Sequence, residues 1–115
     1  MTTSQRIQLS RQKGWRLPPD TIVVARGPGR IWGNPFTVKD AVEIGVKPEE
    51  AQAFVVRCFE NWLRGDRSNW MGEESDKAAA AIVARLPELR GKNLACWCKP
   101  GDPCHGDILL RLANQ

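Results

Sequence analysis

A chain of 115 residues, 42% of them apolar, falls within the usual size of one domain and can fill one core, so residues 1–115 are expected to fold as a single unit. No apolar run approaches about 18 residues, and the polar start Met1-Thr2-Thr3-Ser4-Gln5-Arg6 lacks the apolar segment of a signal peptide, which argues against a membrane protein and for a soluble, cytoplasmic one. Four cysteines in such a chain read as thiols, metal ligands or catalytic groups rather than a disulfide framework. The formal charge of +4 is unevenly spread: residues 1–39 hold seven Lys/Arg against the single acid Asp20, and residues 40–115 hold ten against twelve. A basic front third suits either a solvated face or an anion site, because arginine forks match oxyanions.

Arg6 to Ser10 alternates polar and apolar residues and predicts a short edge strand. The next segment, Arg11 to Pro19, contains Lys13, Trp15 and Arg16 and ends in two prolines, which prevent regular structure. Thr21 to Arg26 is β-branched and continuous, so it predicts a buried strand with Arg26 at its carboxyl end. From Gly27 to Phe36 the chain has three glycines and two prolines, with Arg30, Trp32, Gly33 and Asn34 among them. Turn geometry accounts for many such loops. Here the neighbouring arginines and tryptophans also suit a phosphate and a stacked base. The glycine spacing is neither a Walker motif nor a dinucleotide fingerprint.

Pro48 opens a helix over Glu49 to Leu63, whose apolar residues recur at three- and four-residue steps, and Gly65 ends it. Cys58 lies on that apolar face and predicts an inert, buried thiol. Ser68 to Gly72 reads as a loop, and Ser75 or Asp76 as the cap of a second helix, Lys77 to Leu86. Pro87 and Gly91 break the chain before a strand from Lys92 to Cys98. Alternation places Leu94, Cys96 and Cys98 on one side of that strand and Ala95 and Trp97 on the other, all as plausible core positions. A closing helix follows, carrying Ile108 to Ala113. The order predicts an α/β protein: a small Rossmann-like layered fold with a short, mostly parallel sheet flanked by helices.

Cys96, Cys98, Cys104 and His105, three of the four cysteines and the only histidine, fall within ten residues. One reading is tetrahedral zinc on these four side chains. Cys96 and Cys98 would share a face of the strand, but on a helix the adjacent Cys104 and His105 would diverge by about 100°. A second reading is an anion-binding, catalytic helix start. Asp102 fits an N-cap and Pro103 the first helical position, which puts Cys104, His105 and Asp107 in the first turn. The dipole there favours an anion and a Cys104 thiolate, while His105 passes a proton and Asp107 orients it or acts as a base. A third reading is packing alone.

The residues Arg6 to Pro18, Trp32-Gly33-Asn34-Pro35-Phe36, and Gly91 to Cys98 with Cys104-His105 and Asp107 together resemble the small phage and bacterial family known as domain of unknown function 4326, over nearly the whole chain. The Cys-His helix start is similar, more distantly, to domain of unknown function 488. Related small α/β families include nucleotide sensors and enzymes acting on N-glycosidic bonds. By fold analogy the resemblance implies a nucleotide- or nucleoside-directed protein in the host cytoplasm, with cleavage or transfer at an N-glycosidic or nucleotide-sugar bond as the enzymatic form of that expectation. In that reading Lys13, Arg16, Arg26 and Arg30 neutralise phosphate, Trp15 or Trp32 stacks the base, Gly33 and Asn34 supply close contacts, and Cys98 lines the site. His105, Asp107 and Cys104 are its catalytic candidates. The alternatives are a non-catalytic zinc module that contacts nucleic acid or a host protein, and a phage accessory protein that sequesters a nucleotide unchanged.

Overall fold

The computed structural model describes residues 4–115, so the first three residues of the polar start lie outside the described part. Three short strands, β1 (Arg6–Gln8), β2 (Thr21–Val23) and β3 (Asn93–Cys96), form a parallel sheet in the order β1-β3-β2. The last strand in sequence is therefore the middle one. Its register sets Arg6 beside Leu94 and Gln8 beside Cys96 on one edge, and Thr21 beside Asn93 and Val23 beside Ala95 on the other. Leu94, Ala95 and Cys96 are all buried, which explains their unbroken apolar run: a strand covered on both faces has no solvent side to alternate with.

All three strands are shorter than their sequence patterns predict. Leu9 and Val24 still donate to the carbonyls of Cys96 and Ala95, at 2.8 Å each, but beyond these bonds the chains leave the ladder. The consequence falls on Trp97. The sequence places it in the core as part of a longer strand; with β3 ended at Cys96 it is 46% exposed.

Among the described residues four helices accompany the sheet: α1 (Val38–Glu43), α2 (Pro48–Leu63), α3 (Glu73–Arg85) and α4 (His105–Ala113), with a 3-10 turn over Leu86–Leu89. As predicted, α2 starts on Pro48 and stops just before Gly65, whose φ of 116° a side chain would resist. The short α1 is absent from the elements that the sequence predicts, although Thr37 caps it by accepting from the Asp40 N–H at 3.1 Å. That Thr-x-x-Asp pattern is a legible helix start. α3 begins four residues before the predicted Lys77, from Gly72 as its N-cap, with Glu73, Glu74 and Asp76 in the first turn. Acidic residues there complement the helix dipole. Ser75 does not cap it.

Ser75 is instead 0% exposed and locks the core. Its hydroxyl accepts from Trp62 Nε1 at 2.8 Å and donates to the Trp70 carbonyl at 2.7 Å. Trp62 stacks on Trp70, with centroids 5.6 Å apart, and meets the edge of Phe36 at 5.9 Å. Ser75→Ala is expected to cost about 1–3 kcal/mol in urea denaturation, because both the indole N–H and a carbonyl lose a buried partner. A loss indistinguishable from zero would show that water replaces the hydroxyl.

Trp32 and Cys58 are also buried. Trp32 belongs to the main core cluster, and the Arg85 guanidinium lies 5.8 Å from its ring centre. For Cys58 the structure agrees with the packing reading: burial pushes its thiol pKa up, which suppresses thiolate chemistry.

Candidate functional site

β2 and β3 run in the same direction, so the residues that leave their carboxyl ends emerge side by side. Ala25 and Arg26 follow β2, Trp97 and Cys98 follow β3, and α4 starts close by at His105. Between them opens a cleft of about 300 Å³ lined by Arg26, Asn34, Gln52, Cys96, Trp97, Cys98 and His105, among others. This is where ligands bind in open parallel sheets. A larger groove of about 540 Å³ runs along α2 near Lys47, Glu49, Glu50 and Arg57. It holds no thiol or imidazole among its lining residues, whereas the smaller cleft holds both.

The cleft wall from the front loop is rigidly held. Asn34, 2% exposed, donates through Nδ2 to the Val55 carbonyl at 3.0 Å and accepts through Oδ1 from the Phe36 N–H at 2.9 Å. Its own carbonyl accepts from Arg26 Nε at 2.6 Å, and Arg26 Nη2 donates to the Phe36 carbonyl at 2.7 Å. Arg26 thus has Nη1 uncommitted among the described residues. Gly33 permits this packing, since a Cβ there would sit 3.0 Å from the Arg26 Cα. Its close contact is with the protein's own arginine.

The opposite wall hangs on Arg6, a residue that the sequence pattern does not assign to the site. Its buried side chain donates to the Cys98 carbonyl at 2.8 Å and the Lys99 carbonyl at 2.6 Å, and pairs with Asp107 at 3.1 Å. The sequence marks Arg6 only as the start of a short edge strand, and the register beside Leu94 brings it beneath the Cys98 turn. Gln52 of α2 adds a second tie by donating to the Pro103 carbonyl at 2.8 Å. Trp97, which the sequence assigns to the core, carries the Arg11 guanidinium 4.6 Å over its ring.

At the floor, the helix start departs from the predicted cap. Asp102 closes a turn by donating its N–H to the Lys99 carbonyl at 3.1 Å, and Pro103 precedes the helix rather than entering it. Cys104 is the N-cap: its backbone is extended, at φ −147° and ψ 139°, and its sulfur accepts from the Gly106 N–H at 3.4 Å. Side-chain preferences favour Asp at a cap, but the thiol fills the role here because position 104 is completely buried. The expected divergence of Cys104 and His105 therefore does not arise. It requires two helical residues, and only His105 is helical.

His105 Nε2 lies 2.6 Å from the Val24 carbonyl. A carbonyl only accepts, so Nε2 bears the proton and Nδ1 keeps its lone pair. Phe59 meets the imidazole edge-on at 5.5 Å. Burial pushes the His105 pKa below its ordinary value. Asp107 is turned to Arg6, so Val24 rather than Asp107 orients the ring.

Cys96 Sγ and Cys98 Sγ are 3.8 Å apart. The thiol of Cys104 hydrogen-bonds toward Cys96 and, with help from the Cys98 backbone N–H, lowers the Cys96 pKa to about 5. The same bond raises the Cys104 pKa, and burial raises that of Cys98. Among the described residues, no two cysteines are joined by a disulfide.

The cleft thus unites Arg26, Asn34, Cys96, Cys98 and His105. Lys13, Arg16 and Arg30 are exposed and Trp15 is half-buried, and none of these lines it. Neither does the core residue Trp32. No helix among the described residues is long and apolar enough to cross a membrane.

Over 39 residues the chain is 46% identical to an uncharacterized 12.4 kDa protein of Enterobacteria phage T4 from the nrdA-td intergenic region. That stretch covers 34% of this chain and 35% of the phage protein. No solved structure matches. Residues 7–115 match the family described as Domain of unknown function (DUF4326), and the chain belongs to it.

Proposed function

We propose that this is a nucleotide-directed protein of Rossmann-like layout that holds a phosphorylated small molecule, a nucleotide or nucleotide sugar, in the cleft at the carboxyl ends of β2 and β3. The observation that carries the reading is the charge and shape of that cleft. Arg26 is the one Lys or Arg side chain among its described lining residues, and two hydrogen bonds pin it with one guanidinium nitrogen to spare among the described residues. A held arginine loses little freedom when it meets a phosphate. Trp97, rather than Trp15 or Trp32, supplies the aromatic face for a base, because it is the exposed tryptophan on this cleft. At about 300 Å³ the cleft suits one compact ligand.

A panel of nucleotides and nucleotide sugars tests the reading by thermal shift. A ligand at about 100 times its Kd is expected to stabilise the protein by about 2.7 kcal/mol, and Arg26→Gln and Trp97→Ala are expected to weaken that shift. No shift with any member at millimolar concentration would overturn the proposal. Chromatography of the ligand recovered after incubation then separates sequestration, which returns it intact, from cleavage at the glycosidic bond.

A further inference from the structure

We infer that Cys96, Cys98, Cys104 and His105 form a zinc site, with three thiolates and the Nδ1 of His105 as ligands. The spacing in sequence, Cys-x-Cys followed by an adjacent Cys-His, is unlike a common zinc knuckle. The fold removes the objection. β3 brings Cys96 to the middle of the sheet, the Lys99–Asp102 turn returns the chain, and the extended Cys104 directs its sulfur toward Cys96 while His105 begins α4.

Four observations converge. First, the ligand atoms of Cys96, Cys104 and His105 all lie within 4.8 Å of one another, in a buried setting. Second, Cys98 Sγ is 3.8 Å from Cys96 Sγ. Tetrahedral zinc with Zn–S bonds of about 2.3 Å requires sulfurs about 3.8 Å apart, so this pair already has the edge length of the polyhedron. Third, His105 Nε2 donates to the Val24 carbonyl, the outer-shell bond that fixes a histidine tautomer and leaves Nδ1 for a metal. Fourth, the surroundings supply hydrogen to sulfur: the Gly106 N–H reaches Cys104 at 3.4 Å, and Gln52 Nε2 lies 3.8 Å from Cys98. Arg6 holds the Cys98 carbonyl and offsets the net negative charge of three thiolates around a divalent ion.

Zinc is the ion of choice because soft thiolates with one imidazole in a small tetrahedral space suit it. Binding releases to solvent whatever thiol protons the three cysteines still carry. Cys98 lies beside Cys96 but outside the mutually close trio, so it draws in to complete four protein ligands, and the ion then holds the carboxyl end of β3 to the start of α4 and forms the floor of the cleft. In this role Cys104 and His105 are ligands rather than nucleophile and proton carrier. The site does not depend on the nucleotide reading, since metal is measured with no nucleotide present.

The test uses the full chain purified in reducing buffer without added metal. Elemental analysis is expected to find about one equivalent of zinc per chain. After chelator stripping and one equivalent of Co²⁺, an intense thiolate-to-cobalt charge-transfer band and tetrahedral d–d bands are expected. Cys98→Ser should weaken that charge-transfer band, and Cys58→Ser, outside the cluster, should leave it intact. Zinc below about a tenth of an equivalent together with no cobalt charge-transfer band in the wild-type chain would overturn the inference. Both of those measurements are made on the wild-type chain, so a variant that fails to fold does not blur the outcome.

Discussion

Trp62→Ala is expected to remove about 3–5 kcal/mol of folding stability, against a total of about 5–15 kcal/mol for a domain of this kind. The size follows from the surroundings of the indole. Trp62 is 2% exposed, on the inner face of α2, and its ring meets Phe36, Phe59 and Trp70 at centroid distances of 5.9, 6.1 and 5.6 Å. Truncation leaves a cavity that three aromatic neighbours from different parts of the chain cannot all fill, and it deprives Ser75 of the indole donor. Trp62→Phe, which keeps most of the volume and loses the N–H, is expected to cost well under half as much. Urea midpoints read both effects, provided that the slope is unchanged. A Trp62→Ala loss below about 1 kcal/mol would show that the cluster closes over the gap. The double variant with Ser75→Ala should lose less than the sum of the two single losses, because both remove the same hydrogen bond.

Asn34→Leu is the second large effect, expected at about 2–4 kcal/mol, mainly through polar groups rather than volume. Leucine has the branching of asparagine, but its methyl groups cannot approach a carbonyl or an N–H as closely as hydrogen-bonding atoms do, so some crowding adds to the lost bonds. It can neither donate to the Val55 carbonyl nor accept from the Phe36 N–H, the two bonds Asn34 makes at 3.0 and 2.9 Å. The loop end that carries Arg26 is then held to α2 by fewer ties. Any nucleotide-induced shift in melting should fall along with stability. Asn34→Asp makes a sharper comparison. At neutral pH its carboxylate keeps the bond from Phe36 but faces the Val55 carbonyl without a proton to donate; acidification restores a donor, so this variant should recover part of its stability as the pH falls. Equal losses for Leu and Asp at every pH would contradict the assigned orientation of the Asn34 amide.

Much of the secondary structure is legible in the sequence because it rests on local rules. The helix from Pro48 to Leu63 follows from apolar spacing, a proline at the start and a glycine at the stop. The apolar runs at Thr21 and Leu94 locate β2 and β3, although the strand ends depend on how far neighbours remain paired, which no single segment determines. The start of α4 shows the limit. Local preference favours Asp102 and Pro103, and burial of the Cys104 side chain moves the cap by two residues.

The site divides in the same way. Sequence by itself determined that reactive groups crowd into Cys96 to His105, that Arg26 stands at a strand end before a glycine-rich loop, and that the chain has the character of its family. Tertiary structure decided which of these groups meet. Lys13, Arg16 and Arg30 share the charge of Arg26 but do not share its place, and Trp97 lines the cleft where Trp32 does not. Arg6 and Gln52, 46 positions apart in the chain, tie down one turn by reaching the carbonyls of Cys98, Lys99 and Pro103. Charge and residue type are local properties written in each segment. Convergence depends on strand register and on burial, which exist only once β3 has been inserted between β1 and β2.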